Sequence, residues 1–355
     1  MILAKNCGLS RVAATLASQF EGKENNYRQR LREWYWDEKS KQGQKRVDWS
    51  VAQSFAPLLR WILRLWPAQE RRLPLAMDAT TLKERFVVLS LSVVYRGCAI
   101  PIAWAVLRAG QPGSWKEPWL GLFQSLEGVV PSDWKVIVMA DRGLYARWLY
   151  VAIQAMGWHP FLRINLGGSY HAKGKANFQP MSQLLPSPGQ TWVGEVTCFA
   201  SQPLEATLLA CWGPNHKEPW LILTDLPTCQ ASATWYGLRS WIEAGFKDLK
   251  RDGWQWQNTR MTDPARAARL WLALAVATLW VVNVGGAADH ELPANCADAL
   301  SPNHIVHKTK FKVSQPRLLS CFSRGLSVIL AHLLHRYPIR LVSFIPQPWP
   351  QDTYP

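Results

Sequence analysis

Apolar positions change their spacing several times along this chain, and each change marks a different kind of element. Up to about residue 70 they recur at helical intervals, first in "LSRVAATLASQF" and again in "VAQSFAPLLRWILRLW", which runs to Pro67. After Pro74 the period shortens. "LPLAMDAT", "RFVVLSLSVVYRG" and "AIPIAWAVLRAG" are rich in β-branched and apolar residues and separated by short breaks, which predicts three consecutive strands. Ser114 and Glu117 have capping-box spacing, opening a helix expected to reach Leu126. "WKVIVMADRG" is a continuous apolar run of the kind buried on both faces of a sheet. A helix over "LYARWLYVAIQAMG" and a strand over "HPFLRIN" follow. Three strands, helix, strand, helix, strand predicts an α/β core with a mixed central sheet.

Between residues 167 and 230 the pattern is different again. "TWVGEVTCFA", "LEATLLACW" and "PWLILTDLP" read as short strands with no helix between them, a β-rich insertion. Helical spacing returns in "WYGLRSWIEAGFKDLKRDG", residues 235–253, and in a second helix from Pro264 to about Val284. The apolar run Leu270 to Val282 inside that helix is about 13 residues, short of the roughly 20 that span a bilayer, so a buried helix is expected. The chain thus divides into a helical, DNA-binding candidate region (1–70), a core in two parts (71–166 and 231–285), the insertion (167–230) and a C-terminal region of unassigned role (286–355).

Charge narrows the class of partner. Lys and Arg number 40 against 25 Asp and Glu, a net +15, which favours a polyanion such as nucleic acid. In "NNYRQRLREWYWDEKSKQGQKR", Arg28, Arg30, Arg32, Lys39, Lys41, Lys45 and Arg46 alternate with Tyr27, Trp34, Tyr35 and Trp36. That alternation suits phosphate contacts with stacking, and equally a solvated amphipathic helix. Seven scattered cysteines without a C-x-x-C argue against a disulfide framework and a zinc site. His304 and His307, like His332 and His335, are spaced as zinc ligands but lack cysteine partners. The N-terminal apolar run is too short for a signal peptide, so a soluble, cytoplasmic protein without a membrane partner is expected.

Three acids carry candidate chemistry. Asp78 is expected at the end of the first strand, Asp141 at the end of the buried strand, and Glu243 on the helix after the insertion. Strand ends in an open α/β sheet converge on one edge, where ligands bind. Carboxylates gathered there need cations, and two Mg²⁺ ions would supply them while serving phosphodiester displacement. At about 100° per residue, Tyr236, Arg239, Glu243 and Lys250 fall within one narrow polar stripe. Leu238, Ile242, Gly245 and Leu249 form the apolar stripe that would seat the helix.

Those four polar residues meet the pattern Y-x2-R-x3-E-x6-K, and with "MDAT" and "ADRG" before them the chain resembles the IS4-type DDE transposases, the insertion-sequence group that includes the Tn5 transposase. The resemblance covers about residues 71–285. It implies an RNase H-like catalytic core with a β-stranded insertion between the second and third acids. It makes Asp78, Asp141 and Glu243 the metal-binding triad for two Mg²⁺, with Mn²⁺ able to substitute, and gives Tyr236, Arg239 and Lys250 to DNA phosphates. Members with this signature pass through a DNA hairpin with a flipped base, for which Trp220 is the candidate platform and Trp212 the runner-up; the chain has 21 tryptophans, most of them needed for packing. Arg142 and Arg163 are further candidates for phosphate, and salt bridges within the fold would explain them equally. The implied partners are transposon ends and target DNA, bound by a homodimer in a synaptic complex, nucleoid-associated when on DNA. Two competing readings are a nuclease of the same fold without strand transfer and a non-catalytic DNA-binding protein derived from a transposase.

Overall fold

A computed structural model describes residues 1–41, 46–47, 49–111, 113–214, 216–292 and 319–350. Lys45, Cys296, His304 and His307 lie outside them. The chain begins with helices α1 (Leu9–Phe20), α2 (Glu24–Tyr35) and α3 (Phe55–Leu65). A meander of β1 (Arg72–Leu82), β2 (Phe86–Tyr95) and β3 (Cys98–Arg108) follows, then α4 (Lys116–Gln124), β4 (Lys135–Ala140), α5 (Arg147–Ala155) and β5 (His159–Arg163). The insertion contributes β6 (Ser169–Ala172), β7 (Gln179–Pro180), β8 (Thr191–Cys198), β9 (Leu204–Cys211) and β10 (Trp220–Thr224). Helices α6 (Trp241–Lys247), α7 (Pro264–His290) and α8 (Cys321–Leu334) complete the described elements.

Among the described residues, ten strands share one sheet, in the order β3-β2-β1-β4-β5-β10-β9-β8-β6-β7. Strands β1, β4 and β5 are parallel, and β2 runs against β1 and β3. This order, 3-2-1-4-5 with the second strand reversed, is the RNase H-like mixed α/β core that was expected. The β2–β3 turn needs φ > 0 at both central residues, which Arg96 (φ 46°) and Gly97 (φ 79°) provide. The insertion builds no sheet of its own, because β10 pairs antiparallel with β5 and continues the core sheet outward. Strands β6 and β7 went unpredicted; at four and two residues they are too short to show a period.

Each face of the sheet has its own core. One side packs Trp104 of β3 against Phe55 and Leu59 of α3, Trp119 of α4, Leu149 of α5 and Trp271 of α7. The other packs Ile137, Met139, Phe161 and Ile222 against Tyr236, Leu238, Trp241 and Ile242. The segment expected as one regular helix from 235 to 253 is a 3₁₀ stretch (Ala233–Ser240), then α6, then a π turn (Asp248–Asp252). Its anticipated apolar stripe is buried: Leu238, Ile242, Gly245 and Leu249 all face inward. Gly245 is required by proximity, since a Cβ there would lie 2.7 Å from the Cβ of Ala99 on β3.

Local details depart from the sequence reading in two places. Ser114 accepts a hydrogen bond from the Lys116 N–H (3.1 Å) but makes no side-chain cap for α4, which starts after Trp115; the capping box does not form. Part of the basic–aromatic stretch after α2 serves internal packing. Trp36 has the guanidinium of Arg32 at 5.2 Å and that of Arg266 at 5.8 Å, and Arg266 also donates to Asp37 (2.9 Å). His332 and His335 pack their rings on Tyr337.

Helix α7 starts at a cap in which Asp263 accepts from the Arg266 N–H (2.8 Å), with Pro264 in the first turn. By length and composition alone it is apolar enough to cross a membrane, yet 72% of its most apolar window is buried inside the fold, where it serves as a core helix. It meets α8 at backbone contact. A Cβ on Gly325 would lie 1.9 Å from the Val281 carbonyl oxygen, and one on Gly285 would lie 2.0 Å from that of Cys321. Gly325→Ala should therefore force the helices apart and cost about 1–3 kcal/mol in urea unfolding. Gly121→Ala, mid-α4 with open space around it, should be neutral or stabilising by up to about 1 kcal/mol.

Candidate active site

Strand register brings the first two acids together. The parallel pairing of β1 with β4 ends at Met77 and Ala140, so Asp78 and Asp141 occupy the next position on neighbouring strands, which lie about 4.8 Å apart. Asp78 is not at the end of its strand, as the sequence suggested. β1 continues to Leu82 because it stays paired with β2, and the gap beside Asp78 opens where β4 stops. On the far side of β4, Ala140 pairs with Leu162, which places Arg163 alongside Asp141. Its Nη1 is 3.8 Å from the Asp141 carboxylate.

The third acid arrives from above on α6, and a cation ties it in. Arg239 donates from Nη2 to Asp78 (2.7 Å) and from Nη1 to Glu243 (2.7 Å), so one guanidinium spans two of the three carboxylates. Arg239 is only 12% exposed while Glu243 is 58% exposed, so the bridge is firm at the strand and open at the helix. Tyr236 reaches Asp141 and the Ala140 carbonyl from its hydroxyl, each at 3.4 Å. Lys250 donates to Thr80 Oγ1 (2.7 Å), two residues along β1 from Asp78 and on the same face.

The electrostatics follow from burial. Asp78 is pushed above the usual carboxylate range, first by desolvation and then by the neighbouring charges of Glu243 and Asp141; Arg239 and the Ala79 N–H oppose this but do not cancel it. The Tyr236 hydroxyl is raised by burial and by Asp141, so it stays a proton donor. Burial works against the Arg239 charge, yet Asp78, Tyr236, Asp141 and Glu243 together hold it higher. Lys250 is lowered by burial and by Arg251 beside it.

Trp220, at the start of β10, stands next to this cluster. Its ring lies edge-on to Tyr236 (centroids 5.1 Å apart) and stacks on His216 (4.5 Å, 25° between planes). Trp212, the runner-up, donates from Nε1 to the His216 carbonyl (3.0 Å) and so helps hold the loop. Arg142 and Arg163 converge on an acid that sequence reasoning missed. Glu218 Oε1 accepts from Arg142 Nη1 (2.6 Å) and Arg163 Nη2 (2.7 Å). Nothing near Glu218 in sequence marks this, because its partners are 76 and 55 positions away. Thr80 was missed for the same reason.

Hard carboxylate oxygens are the donors a Mg²⁺ ion takes, and Asp78, Asp141 and Glu243 fit such an ion in kind. Among the described residues no three of His, Cys, Asp and Glu stand ready to hold a metal, and Arg239 supplies the positive charge between Asp78 and Glu243.

Residues 119–280 match the family model described as the transposase DDE domain. The match supports a DDE transposase. Such a domain implies a polynucleotidyl transferase or endonuclease, and DDE domains generally use divalent metal ions. Asp141 and Glu243 fall within the matched segment and Asp78 precedes it. A search of curated proteins returns no match. Among solved structures, the chain is similar to the piggyBac transposase in a synaptic complex with hairpin DNA, at 10% identity and a TM-score of 0.35. That likeness covers 79% of this chain and 60% of the other. Human ENDOV gives 13% identity and a TM-score of 0.26 over 62% of this chain and 95% of its own. A pre-cleavage Mos1 transpososome gives 12% and 0.17 over 42% and 53%. At these identities and scores the likenesses assign no residue and no activity.

One consequence concerns pH. Because the Asp78 pKa is raised on folding, its contribution to stability is full in acid and is lost as pH rises through the folded-state value. Asp78→Asn should therefore raise the melting temperature of the metal-free protein at pH 7, and the difference should close as pH falls toward about 4. Thermal unfolding across pH 4–8 checks it; a mutant less stable than wild type at pH 7 contradicts it.

Proposed function

We propose that this protein is an IS4-type transposase that binds the inverted-repeat ends of its element and cuts them at Asp78, Asp141 and Glu243. The observation that supports this most is the shared ion pair. Arg239 bonds both Glu243, four residues on in the signature, and Asp78, 161 positions away in "MDAT", so the two acids converge on one cation. Bound by the three carboxylates, a pair of Mg²⁺ ions, replaceable by Mn²⁺, would activate the attacking oxygen and stabilise the leaving one.

The chain's own residues do the rest by position and charge. Tyr236 offers a proton from a buried hydroxyl to a phosphate oxygen beside Asp141. Arg239 turns from the acids to the strand as DNA enters, and Lys250, held on Thr80, adds a second cation along β1. Arg142 and Arg163 bind phosphate on the Asp141 side. Water attacks first, breaking a P–O3′ bond to free a 3′-OH. That hydroxyl attacks a phosphate of the opposite strand and displaces its 3′-oxygen, forming a hairpin. A second water opens the hairpin, and the regenerated 3′-OH attacks target DNA, displacing a 3′-oxygen there. Trp220 stacks the base that the hairpin expels, since unstacking costs a few kcal/mol that an aromatic face offsets. A homodimer would hold two ends together in a synaptic complex.

The test is cleavage of the DNA flanking the protein's own gene. With Mg²⁺ the expected products are a nick, a hairpin and joined target; with Ca²⁺, binding alone. Asp141→Asn should lower cutting by more than about a hundredfold, and unaltered processing by this variant would return the non-catalytic reading. A nicked end with a 3′-OH that is only hydrolysed would favour the nuclease. For Trp220→Ala the expected result is normal nicking with reduced hairpin formation. Lys250→Ala should leave metal titrations unchanged and make the dependence of binding on salt shallower by about one in log–log slope.

A further inference from the structure

The connection between β9 and β10 presents two side chains to the cluster, and both take up contacts that a nucleotide would make. Glu218 places a single carboxylate oxygen between two guanidinium groups, at 2.6 Å from Arg142 and 2.7 Å from Arg163. A non-bridging phosphate oxygen takes the same fork. Two residues earlier, His216 lays its flat ring on Trp220 at 4.5 Å and 25°, the arrangement of a stacked base. The loop is shaped to do this. Gly213 lets the imidazole fold back over the backbone, since a Cβ there would meet His216 Nδ1 at 2.9 Å, and the His216 N–H donates to the Gly213 carbonyl (3.0 Å).

Arg163 is anchored in the fold, whereas Glu218 and Arg142 sit on exposed connections. Arg163 is 16% exposed and rooted in β5; Glu218 is 36% exposed and lies outside any strand. The Glu218–Arg142 pair is exposed on both sides, and ion pairs of this kind are weak and yield to a competing anion. Among the described residues, Arg163 Nε is buried without a hydrogen-bond partner, so the seat has more donors than Glu218 satisfies.

We propose that Glu218 and His216 form an internal stand-in for one nucleotide, filling a phosphate-and-base seat beside Asp141 until a DNA strand displaces them. The inference rests on the DNA-processing function proposed above and adds to it a self-occupied state. Glu218 stands in for the phosphate, His216 for the base, and Arg142, Arg163 and Trp220 are the seat.

The experiment measures binding of the full chain, in Ca²⁺, to two fluorescent probes of mixed sequence, a blunt duplex and a duplex with a single-stranded tail. Glu218→Gln should bind both roughly three- to tenfold more tightly than wild type. An exposed acid elsewhere, Glu127→Gln, controls for the change in net charge and should have a smaller effect. In an Arg142→Gln/Arg163→Gln background the Glu218→Gln gain should vanish, which a purely structural role for Glu218 would not produce. His216→Ala should tighten binding of the tailed duplex, whose unpaired bases can take the Trp220 face, and leave the blunt duplex unchanged. Wild type that binds DNA, with Glu218→Gln folded and no tighter than Glu127→Gln, overturns the stand-in alone. If neither wild type nor Glu218→Gln binds either probe, the DNA reading falls and this inference with it.

Discussion

Where β4 ends and β1 runs on, two aspartates are left side by side on neighbouring strands, and a third carboxylate is lowered over them by α6. Negative charge brought together at a half-buried sheet edge is unstable without positive charge within reach. Arg239 answers that need by bonding Asp78 and Glu243 at once, and Arg163 stands by Asp141. The surrounding polar contacts follow from the same constraint. Tyr236 turns its hydroxyl to Asp141, and Glu218 appears where two arginines would otherwise face each other.

A site balanced in this way is stable as it stands but not inert. Each contact that neutralises the cluster is also one that a metal ion or a phosphate could take over, because the groups involved are the same in kind. Desolvation still raises Asp78 above its ordinary value despite Arg239, so the folded chain carries an electrostatic cost at neutral pH. Costs of this kind concentrate at functional sites, where they are offset by packing elsewhere. Here the offset comes from a sheet buried on both faces and from the close crossing of α7 and α8.

The insertion changes what the cluster can touch. Because β10 pairs with β5 rather than forming a separate body, Trp220 is fixed at the edge of the same sheet that carries Asp141. The loop before it then falls beside Arg142 and Arg163. A β insertion packed elsewhere would leave the same three acids without an aromatic neighbour and without Glu218.

The spacing of apolar residues was enough to read most of these elements from the chain itself: strands β1 to β5 and β8 to β10, and helices α1, α3, α4, α5 and α7. Side-chain period is a local property, set by whether neighbours along the chain face a core. For the same reason the stripe of Tyr236, Arg239, Glu243 and Lys250, and the apolar stripe beneath it, were visible in the sequence. What tertiary structure decided was pairing. Register put Asp78 opposite Asp141 in mid-strand rather than at a strand end, joined the insertion to the core sheet, and brought Glu218 to two arginines and Lys250 to Thr80. Such contacts join positions dozens to more than a hundred residues apart, and no local pattern encodes them, because their energy exists only once the strands between them have been aligned.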